Sequence, residues 1–88
     1  MTGEERRVKY LGRYIVSDPN VCHGQLVFRG TRIFVEDVLE QVASGMSWEA
    51  IIEEWNGHIS REAISEAVAL ASRALNEHAD DLVLEPAA

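Results

Sequence analysis

The sequence predicts a mainly α domain, a helix-turn-helix of three helices preceded by a short N-terminal β-element. Apolar residues from Val35 onward recur at helical spacing. Three helical stretches carry their own caps and breaks. The first third is instead aromatic, β-branched and rich in turn residues. Eighty-eight residues make one domain, read as residues 1–78 followed by an acidic tail at 79–88. A chain this short buries a modest core, so a homodimer or a partner protein is expected to add stability.

The β-element comes first. Tyr10 to Val16 (YLGRYIV) reads as a strand that stops at the turn cluster Ser17-Asp18-Pro19-Asn20. Gly24 permits another reversal, Leu26-Val27-Phe28 is a second strand, and Arg29-Gly30-Thr31-Arg32 is a tight turn before Ile33-Phe34. Strands this short need helices or another chain to pack against.

The first helix is expected over Val35–Ser44, with Glu36 and Asp37 at the positive end of its dipole and Gly45 as its left-handed stop. Ser47 caps a second helix reaching Trp55, on which Trp48, Ile51, Ile52 and Trp55 form an i, i+3, i+4, i+7 stripe. Asn56-Gly57 ends it. Ser60 caps a third helix running to about Glu77. Met46 with Ile51, and Ile59 with Ile64, occupy hydrophobic-staple positions. Ile64, Val68, Ala71 and Leu75 give the third helix a continuous apolar face, and Ala63, Ala67, Ala69 and Ala74 an alanine-rich one that another helix can approach closely. In the tail, Leu82-Val83-Leu84 is an apolar patch among acids, either disordered or ordered against a partner.

Charge divides the chain. Its net charge is −7, yet residues 1–35 carry six basic side chains against three acids, and residues 36–88 two against twelve. Such asymmetry points to two surfaces with different partners, or to a basic surface beside a solvated acidic helical face. The longest apolar runs are a few residues, far short of the roughly 20 that a membrane span needs. The opening MTGEERRVK lacks the apolar centre of a signal peptide, so a cytoplasmic protein is expected.

Enzymatic readings lack parts. The single cysteine, Cys22, allows no internal disulfide and reads as a small apolar side chain. His23, His58 and His78 are scattered without metal-ligand spacing, and no glycine-rich phosphate loop is present. Neither a catalytic site nor a metal, cofactor or small-molecule substrate is expected.

Nucleic acid is the better candidate ligand. The break of about four residues between the second and third helices is a helix-turn-helix layout, in which the start of the latter helix enters the major groove. That start offers Ser60, Arg61 and Ser65, but also Glu62 and Glu66, which repel phosphate. Arg61 can equally be a solvated helix residue. Arg29-Gly30-Thr31-Arg32 is better equipped, with two guanidiniums and a hydroxyl around a turn that lets backbone approach closely. Arg6, Arg7, Lys9 and Arg13 extend it as a basic arm. Alternatively, Arg29 and Arg32 cap or bridge to helix acids such as Glu36.

The run YIVSDPNVCHGQLVFRGTRIFVEDVLEQVASGMSWEAIIEEW resembles the bacterial DUF433 family of VapB-like antitoxins. Ser17-Asp18-Pro19, Gly24, Arg29-Gly30-Thr31-Arg32-Ile33, Val38-Leu39 and Gly45 carry the resemblance, which covers about residues 10–75. It implies a homeodomain-like domain that binds its operator DNA and masks a neighbouring PIN-like ribonuclease toxin. Phe34 departs from the pattern, which often has proline there. No basic residue follows Arg73 to reach an acidic nuclease site, so Arg73, the basic N-terminal surface or steric cover has to serve. Arg73, Leu82, Val83 and Leu84 are accordingly the candidate partner-binding residues. The competing expectation is a protein-interaction module without DNA binding, favoured by the acidic third helix.

Overall fold

The structure, a computed structural model, describes residues 7–84. Arg6 of the expected basic arm and residues 85–88 of the tail lie outside them. Three helices and a small three-stranded antiparallel sheet near the N-terminus make up the fold, about half of it helical. The strands are β1 (Lys9–Tyr10), β2 (Ile15–Ser17) and β3 (Leu26–Phe28), and the helices α1 (Val35–Ala43), α2 (Trp48–Glu54) and α3 (Arg61–Glu77). Each helix ends within about a residue of its expected bounds.

The reason is local chemistry. The Ser47 and Ser60 hydroxyls each accept an amide three residues on, from Ala50 and Ala63, both at 3.1 Å. α1 has no side-chain cap, and Phe34 stands at its N-cap. At its other end Gly45, at φ +95°, lets Met46 N–H reach Gln41 O and Gly45 N–H reach Val42 O. α2 closes the same way through Asn56 at φ +58°, with Gly57 bonded back to Ile52 O and Asn56 to Glu53 O. Both α1 and α2 stop because left-handed residues turn the chain back onto its last carbonyls.

The β-element differs from expectation. Tyr10 to Val16 is not one strand but a hairpin: Tyr10 pairs with Val16, and Leu11 N–H donates to Ile15 O across the loop at 2.8 Å. Gly12, at φ +101°, breaks the run, a backbone state that L-residues avoid. β2 then pairs antiparallel with β3, Ile15 opposite Phe28 and Val16 opposite Val27. The turn cluster between them behaves as read, with Asn20 N–H donating to Asp18 Oδ1 and Ser17 Oγ to Gly24 O.

Ile15 and Phe28 from the sheet, Val38 of α1, Ile51 of α2 and Ile64 of α3 form the centre of the core, all at most 2% exposed. Of the alanines expected to admit another helix, Ala63 and Ala67 are already buried against the chain's own core, whereas Ala69 and Ala74 are exposed. The apolar face of α3 does not stay covered along its length. Ala71 is exposed and Leu75 is 58% exposed, because burial along α3 ends at Ala67 and every residue from Ala71 to Leu84 is exposed. The tail turns through a 3-10 segment, Ala79–Leu82, and Leu82, Val83 and Leu84 stand in solvent.

Candidate functional site

Two loops are fastened together on the first half of α3. Glu66 lies one turn after the start of that helix and accepts from Arg13 N–H at 2.8 Å and Tyr14 N–H at 2.7 Å. Tyr14 in turn presents its carbonyl to Arg29 N–H at 2.7 Å. The β1–β2 loop therefore carries Arg13, and the turn after β3 carries Arg29, on either side of Tyr14. Nothing in the local sequence marks Glu66 for this role, since its partners lie over fifty residues away.

The basic turn is built from within. Thr31 N–H donates to Phe28 O at 2.9 Å, closing a four-residue turn in which Gly30, at φ +81°, fills the position that needs a positive φ. The Thr31 hydroxyl donates to Phe28 O at 2.8 Å and accepts from Ile33 N–H at 2.9 Å. Gly30 and Thr31 thus shape the turn, and Arg29 and Arg32 are the groups it displays. Both guanidiniums are exposed, and neither forms an ion pair among the described residues. The expected alternative, a bridge to Glu36, is not made.

One groove of about 250 Å³ joins this turn to the α2–α3 connection. Tyr14, Arg29, His58 and Ser60 line it. A second, shallower one holds Arg13 and Ser65 beside Glu62 and Glu66. The candidates therefore assemble around the start of α3 from three separate stretches of chain. Arg61 does not join them. Its guanidinium pairs with the Glu49 carboxylate and lies 5.4 Å from the Trp48 ring centroid, so it ties α3 to α2. The Glu49 carboxyl is held below its ordinary value, first by a hydrogen bond to its own backbone amide and then by Arg61. Ser60 spends its acceptor on the helix cap.

Arg73 lies elsewhere, with Glu77 in a groove of about 670 Å³ between β1 and the outer half of α3. Leu82, Val83 and Leu84 are 58%, 67% and 90% exposed. Among the described residues no three His, Cys, Asp or Glu side chains are grouped to hold a metal ion, and no helix is long and apolar enough to cross a membrane.

The class so defined is a small three-helix domain with a sheet-borne basic turn beside its α2–α3 connection. A family model described as protein of unknown function (DUF433) matches residues 15–71, and the chain belongs to that family. Neither the curated proteins nor the solved structures contain a match. Every buried core residue falls inside the matched span, and β1 and the exposed tail fall outside it.

Proposed function

We propose that the protein is a VapB-like antitoxin with a homeodomain-like helix-turn-helix, binding operator DNA and neutralising a PIN-like ribonuclease. The observation that carries this reading is the shared groove of Arg29, His58 and Ser60, which joins a guanidinium with no ion pair among the described residues to the connection between α2 and α3. In a helix-turn-helix this connection and the helix after it meet the duplex. Arg29, Arg32 and Arg13 would then take the phosphate backbone or a guanine edge, as guanidinium forks do. α3 itself would add little base readout, because Arg61 is bound to Glu49, and Glu62 and Glu66 repel phosphate. The exposed end of the chain, with Arg73 and Leu82–Leu84, is the protein-binding side of this reading.

A gel shift with the duplex lying upstream of the protein's own gene tests the DNA half. Arg29→Ala with Arg32→Ala is expected to weaken binding at least tenfold, and unchanged affinity excludes the basic turn as the contact. Co-expression with the neighbouring gene product tests the other half through relief of growth arrest and co-purification.

One observation favours a protein-interaction module without DNA binding. The exposed face of α3 carries Glu62 and Glu77, and the tail adds Asp80 and Asp81. On that reading the upstream duplex is not bound at any salt concentration.

A further inference from the structure

The basic surface holds an acid that electrostatics alone would keep away from DNA. Glu66 shares the groove beside Arg13 with Glu62, one helical turn earlier on the same face of α3. A carboxylate there repels phosphate. The fold treats the two acids differently. The Glu62 carboxylate makes no hydrogen bond or ion pair among the described residues. Glu66 instead places one oxygen on Arg13 N–H at 2.8 Å and the other on Tyr14 N–H at 2.7 Å, across more than fifty residues of sequence. The loop leaves room for it, since a Cβ at Gly12 would stand 2.5 Å from Glu66 Oε2.

The bonds do not stop at Tyr14. Its N–H is held by Glu66, and its carbonyl accepts Arg29 N–H at 2.7 Å, one step beyond the Ile15–Phe28 pair of the β2–β3 ladder. One residue therefore links the α3 carboxylate to both basic loops. We propose that Glu66 is a positioning residue of the basic surface. It fastens the β1–β2 loop to α3 and, through Tyr14, the turn after β3, so that Arg13 and Arg29 meet the phosphates of a duplex as one unit. The effect on binding rests on the DNA reading above, whereas the coupling of the two loops is a property of the chain alone. Ordering both loops before the ligand arrives reduces the entropy lost on binding. That gain outweighs the repulsion from one carboxylate whose charge is already engaged by two N–H donors. Glu66 and Glu62 therefore act on affinity with opposite signs.

Matched substitutions in the full chain separate the two signs. Glu62→Gln and Glu66→Gln each remove one negative charge from the same helix face at nearly unchanged shape. Glu62→Gln is expected to tighten binding to the upstream duplex about twofold at low salt. Glu66→Gln is expected to weaken it about tenfold, because an amide has a single acceptor oxygen and turns its NH2 group toward the second backbone N–H. Its slope of log K against log salt is expected to fall in magnitude by about 0.9, the share of one phosphate. Unchanged or tighter binding by Glu66→Gln overturns the proposal. Amide hydrogen exchange without DNA reads the coupling. Glu66→Gln is expected to speed exchange at Arg13, Tyr14 and Arg29, and to leave Gly57, bonded to Ile52 O at the end of α2, at its former rate. An unmoved Arg29 overturns the coupling, and so does an equal change at Gly57, which would mark opening of the whole fold. If the unaltered chain leaves the duplex unbound while Arg29 exchange still follows Glu66, the DNA reading fails and the coupling of the loops stands.

Discussion

Glu66 is the residue on which the site's geometry turns. Its carboxylate takes two backbone N–H groups of the β1–β2 loop, and a Cβ at Gly12 would stand 2.5 Å from its Oε2. Hydrogen bonds to a charged group are worth about 1.5–3 kcal/mol in net terms, so Glu66→Ala is expected to cost about 2 kcal/mol in urea unfolding. Gly12→Ala is expected to cost a similar amount, from the positive φ and from displacing the carboxylate. The double variant is then expected to fall short of the sum of the two, because the displaced carboxylate is counted once. Strict additivity contradicts the contact. Glu49 answers to pH instead. Its folded pKa lies below the unfolded value, so the stability it contributes is present above that value, 4.5, and is lost as pH falls through the folded one. Arg61→Ala is expected to raise the Glu49 pKa in an NMR titration yet leave it below the ordinary value, since the hydrogen bond to its own amide remains. A Glu49 titration indifferent to Arg61 contradicts the pair.

Among the elements, the helices were legible in the sequence and the hairpin was not. Ser47, Ser60, Gly45 and Asn56-Gly57 each act within a few residues of where they stand, so reading them requires no knowledge of distant contacts. The strands are two or three residues long, too short for period-2 alternation to separate a hairpin from one strand. Gly12 inside the run was the available signal for a break. Thr31 reads as a hydroxyl for DNA because its turn bonds to Phe28 and Ile33 are invisible before folding. The apolar stripe of α3 was legible, but its covering was not, since periodicity says which face is apolar and not how far the neighbouring elements extend. Ile64→Ala is therefore expected to cost 2–5 kcal/mol by removing a fully buried side chain. Leu75→Ala, on the same stripe but 58% exposed, is expected to stay within about 0.5 kcal/mol. Equal costs in thermal or urea unfolding contradict the boundary of the core. Ser60→Ala is expected to cost about 1 kcal/mol through loss of the α3 cap.

For the molecule as a whole, the division of charge seen in the sequence does not become a clean division of surfaces. Arg13 and Arg29 are carried on sheet loops around the start of α3, where Glu62 and Glu66 stand beside Arg13, and Leu75, Leu82 and Leu84 are exposed toward the end of the chain. A net charge of −7 would repel DNA if spread evenly, so any binding has to be local and strongly screened by salt. The measurement that bears most directly on the proposed function is the salt dependence of binding to the upstream duplex, for the unaltered chain and for Arg29→Ala with Arg32→Ala. If both guanidiniums take phosphates, the slope of log K against log salt is expected to fall in magnitude by about 1.8, at about 0.9 for each phosphate no longer neutralised. The same slope and the same affinity in the two proteins would contradict the assignment of the basic turn to DNA.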